Sequence, residues 1–187
     1  QVSRLAEGGW VLKNTLDRLP LYSLPEIAQA SPDIPVVIVE GEKAADAAKR
    51  CGLQATCSAG GAGAASKTDW TSLAGRKVII LPDNDEPGQK YAETVARLAL
   101  ETGAAEVKIL RLADYCPRLP EGGDIDDVVN SPDWHGIGLR EGAGLEDFKA
   151  WLLSKAEVLT PVQLPEPKGP PPPNRQRLSM DTKLIST

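Results

Sequence analysis

From about residue 34 to residue 131, short apolar runs alternate with helical segments, and this alternation leaves the chain few architectures. Residues 35–39 are apolar throughout, as a strand buried on both faces must be. Residues 42–50 set alanines and charges at helical spacing and stop at Cys51-Gly52, a helix-end signal. Residues 53–57 read as a second strand, 77–81 as a third and 106–110 as a fourth. Residues 87–102 predict an amphipathic helix, with Pro87 at its start and Gly103 beyond its end. Strand-helix alternation of this kind builds an α/β domain: a parallel sheet with helices on both faces and right-handed crossovers. In such sheets functional groups gather beyond the carboxyl ends of the strands.

Acids stand at those ends. Glu40 directly follows the first strand, and Asp83 and Asp85 directly follow the third, in Leu81-Pro82-Asp83-Asn84-Asp85-Glu86-Pro87-Gly88. In an extended segment side-chain direction repeats every two residues, so Asp-x-Asp can send both carboxylates to one side. If the two strands are neighbours, three carboxylates converge, and their repulsion calls for a hard divalent cation such as Mg²⁺ or Mn²⁺. The plainer reading makes Asp83 and Asp85 turn residues and Glu40 a neighbour of a helix N-cap. A further cluster, Gly122-Gly123-Asp124-Ile125-Asp126-Asp127, follows the fourth strand and opens a short helix. Asp124 or Asp126 can complete a metal shell; equally, Asp124 can cap the helix while Asp126 and Asp127 favour its positive end.

Taken together, Val39-Glu40-Gly41-Glu42-Lys43, the Asp83-Asn84-Asp85 segment and Gly123-Asp124-Ile125-Asp126-Asp127 resemble the Toprim domain. Bacterial-type primases, type IA and II topoisomerases, overcoming-lysogenisation-defect nucleases and recombination mediators share that domain. The wording of the motifs is most similar to phage and plasmid primases or primase-helicases, as is the upstream segment with Gly9-Trp10-Val11 and Leu21-Tyr22-Ser23-Leu24-Pro25-Glu26. The resemblance covers roughly residues 20–132. It implies a Rossmann-like fold with a central four-stranded parallel sheet and helices on both faces. It further implies Glu40 as general acid/base for nucleotidyl transfer, Asp83 and Asp85 as Mg²⁺ ligands, and Asp124 as the downstream Asp near the metals. The partners would be a single-stranded DNA template, NTPs and a helicase domain or subunit, in a bacterial cell or phage-infected host. A Toprim nuclease using the same acids, or a non-catalytic nucleic-acid-binding module, is the alternative. One departure is clear: many family members carry an Asp four residues after the Glu, where this chain has Ala44. Asp46, two further on, is read as a helix-face acid.

The glycine-rich loop Ser58-Ala59-Gly60-Gly61-Ala62-Gly63 approximates a Walker A motif through Lys67 but fails it, because Ser66 stands where Gly must precede the Lys. Two readings remain for it. It either offers backbone N–H groups from Gly60 and Gly61 to a phosphate, with Lys67 adding charge, or is a tight structural turn. His135, the sole histidine, has no Cys or Ser partner motif, which excludes a catalytic triad. Three cysteines without CxxC spacing argue against a disulfide framework and a zinc site and for a reduced, cytoplasmic setting. Aromatics are only 4%, so Val, Ile, Leu and Ala must build the core. No apolar run approaches the ~20 residues of a membrane span.

The chain divides into a flanking segment (1–33), the catalytic domain (34–133), a helical extension (134–160) and a Pro-rich linker or tail (161–187). The extension carries Phe148, Trp151, Leu152 and Leu153, the apolar face of a terminal helix. The tail holds seven of the sixteen prolines and no apolar period, a composition that favours polyproline II. The start at Gln1 rather than Met is what a fragment of a larger enzyme would show.

The net charge of −5 is at first sight wrong for gripping a phosphate backbone. The tail carries four Lys/Arg against two Asp/Glu, which leaves −7 for the first 160 residues. Yet eight acids lie in the three strand-end segments, and without them the chain would stand at +3. The acidity belongs to the proposed metal site, and bound cations would neutralise much of it.

Overall fold

A computed structural model describes residues 2–4, 10–12, 18–131 and 134–165. Val2–Arg4 (β1) and Trp10–Leu12 (β2) pair as an antiparallel ribbon. A short helix Leu24–Gln29 (α1) precedes the α/β unit. That unit runs Val36–Ile38 (β3), Glu42–Arg50 (α2), Gln54–Thr56 (β4), Lys77–Ile80 (β5), Glu86–Glu101 (α3), Glu106–Ile109 (β6) and Ile125–Asn130 (α4). Leu145–Glu157 (α5) closes the described chain. Strands β3–β6 form one all-parallel sheet in the order β4-β3-β5-β6, with Ile38 opposite Thr56 on one side and Ile80 on the other.

The two faces are read off the strands. Val37 and Ile79 point to one face, where the alanines of α2, Ile125 and Val128 of α4 and Phe148 and Leu152 of α5 pack. Val36, Ile38, Val78 and Ile80 point to the other, against Ile27 of α1 and Tyr91, Ala92, Val95, Ala96 and Ala99 of α3. Each Val or Ile so buried contributes ~1.5–3 kcal/mol, which explains why the strand cores are apolar on both faces. Ala44, Ala45, Ala47 and Ala48 are all buried, and their small size lets α2 lie close on the sheet. Ala44 is thus a core residue and adds nothing to an acidic set. The Phe148 and Trp151 rings stack at 5.6 Å, as the terminal-helix reading requires of α5.

Short helices need tertiary support, and α1 receives it from a buried cation. Arg76, just before β5, donates to the carbonyls of Ile27 (2.7 Å), Ala30 (2.7 Å) and Ser31 (3.2 Å) at the end of α1. At the other extremity Val162 donates to the Val107 carbonyl (2.8 Å), so the first residues after the extension lie along the edge strand β6. Pro170–Pro173 and the tail from residue 166, Gly9, and the His135 side chain lie outside the described residues.

Candidate active site

The strand order reverses between β3 and β5. From β3 the chain passes outward to β4, then returns across β3 to β5 and on to β6. This is the topological switch point of the sheet, where a crevice opens beyond the carboxyl ends. Glu40 stands two residues past β3 and Asp83 three past β5, so the adjacency on which convergence depends is met.

Each acid is set by its own local structure. Asp85 is the N-cap of α3, its Oδ1 accepting the Gly88 amide at 2.7 Å. Asp124 is the N-cap of α4: its Oδ1 accepts the Asp126 amide (2.6 Å), while the Asp124 amide donates to Asp127 Oδ2 (3.0 Å). The capping reading of Asp124 therefore holds, and it fixes where the carboxylate sits rather than removing it from the site. Gly88 is dictated by the approach of α3: a Cβ there would lie 2.6 Å from the Asp83 carbonyl oxygen and 2.9 Å from its amide nitrogen. Only glycine lets the first turn of α3 rest on the segment that carries both aspartates.

Asn84, the middle residue of Asp-x-Asp, joins the third acidic segment to the second. Its Nδ2 donates to the carbonyls of Leu119 (3.1 Å) and Pro120 (2.9 Å). Its amide donates to Gly123 and its carbonyl accepts from Gly122. Four hydrogen bonds thus pin the loop before Asp124 to the turn between Asp83 and Asp85. Tyr91 of α3 makes the corresponding link on the other side: its hydroxyl donates to the Val39 carbonyl (3.0 Å) and lies 3.2 Å from the Ser58 hydroxyl. Sequence reasoning missed both residues.

The acids feel one another. Burial, then Asp85 and Asp124, hold the Glu40 carboxyl above its ordinary range. Burial, then Glu40, Asp124, Asp85 and Asp127, push Asp83 up to about 7. Glu40 Oε2 is buried and has no hydrogen-bond partner among the described residues. A buried carboxylate oxygen left so carries a desolvation cost that an external partner would remove. Among the described residues no group of three or more His, Cys, Asp or Glu is placed to hold a metal ion. The chemistry of the set, all carboxylate oxygens with one Glu40 oxygen orphaned, is of the kind a hard divalent cation takes.

Asp126 falls outside this set. Its Oδ2 pairs with Lys43 and its Oδ1 with Arg50, both at 2.8 Å, and the two cations lower its pKa. Each oxygen holds a cation, so Asp126 ties α4 to α2. Asp46 bonds the Tyr22 hydroxyl (3.0 Å) and Lys49 (2.7 Å), in keeping with a helix-face acid.

The glycine-rich loop lies beside the Glu40 strand end through Tyr91. It folds on itself, Ser58 Oγ donating to the Gly61 carbonyl at 2.7 Å, with positive φ at Gly60 and Gly61. Residues Ala62–Lys67 then form a 3₁₀ helix, which carries Lys67 about 10 Å from the glycines. Lys67 is exposed, and its carbonyl accepts the Leu19 amide at 2.7 Å.

An acidic crevice thus lies at the switch point of a parallel sheet. Residues 37–129, from within β3 to the last turn of α4, match the family model described as Toprim-like. The α/β domain is accordingly a Toprim-like fold, a domain that occurs in enzymes of nucleotide metabolism and generally binds Mg²⁺. No curated protein and no solved structure matches the chain. Among the described residues no helix is long and apolar enough to cross a membrane.

Proposed function

We propose that the domain carries out nucleotidyl transfer as a primase, making RNA primers on single-stranded DNA from NTPs. The observation that carries this reading is the buried, unpartnered Glu40 Oε2, on a carboxyl that feels the charges of Asp83, Asp85 and Asp124 across the switch point. A carboxyl held above its ordinary range is better suited than a free one to exchange a proton with a ribose 3′-hydroxyl. Asp83, Asp85 and Asp124 would hold Mg²⁺ or Mn²⁺. When bound, such ions make the attacking hydroxyl more acidic and offset charge on the departing pyrophosphate. Asn84 and the two helix caps keep the aspartates in register, so little reorganisation is needed when substrate arrives. Primer synthesis on single strands also implies a helicase domain or subunit as partner. The choice of primase among Toprim activities rests on the motif wording around Glu40 and Asp83-Asn84-Asp85.

The test is labelled-NTP incorporation on a single-stranded template by this chain with Mg²⁺. Template-dependent oligoribonucleotides, lost in Glu40→Gln, support the proposal. Metal-dependent degradation of labelled DNA without NTPs would replace it with the nuclease reading. Neither activity in Mg²⁺ or Mn²⁺ would leave a binding module.

A further inference from the structure

Next to the acids lies a cavity of about 580 Å³, half open to solvent. Its size is that of a small-molecule site. Pro117, Leu119, Val128 and Ile137 give it apolar walls, while Arg118 and Asp127 supply charge. Two observations connect it to the candidate active site. Asn84, between Asp83 and Asp85, donates to the carbonyls of Leu119 and Pro120 on the cavity wall. Asp127, another wall residue, is close enough to act on the charge of Asp83. Cavity and acids therefore share one wall.

We infer that this cavity binds the nucleoside part of a ribonucleotide, with Asp127 as the residue that reads the ribose. The inference deepens the nucleotidyl-transfer reading and rests on it for the direction in which the phosphates lie. Aliphatic and proline side chains give the flat base apolar surface without demanding one base. Arg118 on the same wall brings a guanidinium, a group that can stack on a base face or pair with a phosphate. A carboxylate is the usual acceptor for ribose hydroxyls in nucleotide sites. The Asp127 carboxylate has capacity for such a bond: it has about four acceptor positions, and the Asp124 amide uses one. That same amide bond fixes the side chain, so its acceptor is oriented before ligand arrives. A cavity entered by phosphate alone would not need these apolar walls.

The test is calorimetric binding of adenosine and 2′-deoxyadenosine to the full chain without divalent metal, in which no turnover occurs. Adenosine is expected to bind, and to be favoured over 2′-deoxyadenosine about tenfold. Asp127→Asn keeps an oxygen for the Asp124 amide and is expected to reduce that preference below about threefold. Gly136→Trp and Pro117→Trp fill the cavity from two exposed wall positions and are expected to weaken adenosine binding at least tenfold, each with an unchanged melting curve. Adenosine binding that survives both tryptophans, or a preference untouched by Asp127→Asn, overturns the inference. Adenosine binding lost in the tryptophan variants, in a chain that makes no primers, would support the cavity and count against the primase reading alone. Primer synthesis unaffected by the tryptophans would do the reverse.

Discussion

The two ends of the parallel sheet bury charge in opposite ways. Around the start of β5 and along β6 every buried cation is answered: Arg76 reaches three carbonyls of α1 and its following turn, and Lys108 reaches the Glu157 carbonyl at 3.0 Å and Glu106 at 3.5 Å. At the carboxyl end the sign is negative and the account stays open. Glu40 keeps an unpartnered buried oxygen, and Asp83 is held up to about 7 by burial and by four neighbouring acids. A fold that can satisfy a buried Arg and Lys has no structural need to leave a carboxylate oxygen unmatched. The difference separates charge that holds the domain together from charge kept for a ligand.

That contrast can be broken in order of effect. Glu40→Gln should cut primer synthesis ~10²–10⁴-fold, the usual worth of a general acid/base, without lowering the melting temperature. Arg76→Ala should do the opposite. Losing a buried donor to three carbonyls costs about 2–4 kcal/mol in urea unfolding, with the rate per folded molecule unchanged. If Arg76→Ala abolished activity in fully folded protein, the two ends would not be separable. Gly88→Ala pushes a Cβ into the Asp83 backbone and should cost about 2–3 kcal/mol, lowering the melting temperature by roughly 4–12 °C and disturbing the acids as well.

Smaller, and specific to the acidic end, is a pH effect. The folded state holds the Asp83 proton up to about pH 7, whereas the unfolded chain releases it in the ordinary carboxylate range. The unfolded state therefore binds fewer protons between those limits, so this group's contribution to stability is present at low pH and is lost as pH rises through 7. Glu40 acts in the same direction. Without metal, the urea midpoint should fall from pH 5 to pH 8, and Asp83→Asn should flatten that fall. A midpoint that rises over this range in the wild type and is unchanged by Asp83→Asn would contradict the assignment.

Much of this arrangement is legible in the sequence because it depends on local rules. Apolar runs at 35–39 and 78–81 mark strands, and acids placed just after them must project from the strand ends, so Glu40, Asp83 and Asp85 are visible before any fold is known. What escapes depends on contacts between distant segments. Nothing in Asp83-Asn84-Asp85 says that Asn84 holds residues 119–123, because those carbonyls lie about 36 residues away and meet it only in the folded loop. Tyr91 looks like any aromatic on a helix face, although its hydroxyl spans the Glu40 strand and the glycine-rich loop. Asp126 carries the same sequence cue as Asp124, and only the packing of α4 on α2 shows that Lys43 and Arg50 take both its oxygens. The helix Leu24–Gln29 has no periodicity long enough to predict it and depends on Arg76, some 45 residues downstream.

The most direct test of the central claim is a Mg²⁺ titration of thermal stability at pH 8, where the acids at the carboxyl end repel one another most. Mg²⁺ at about ten times its dissociation constant should add about 1.4 kcal/mol, raising the melting temperature of the wild type by roughly 3–6 °C. The double variant Asp83→Asn, Asp85→Asn should start from a higher metal-free melting temperature and gain nothing. Equal stabilisation of both proteins, or none in the wild type at millimolar Mg²⁺ or Mn²⁺, would contradict the account.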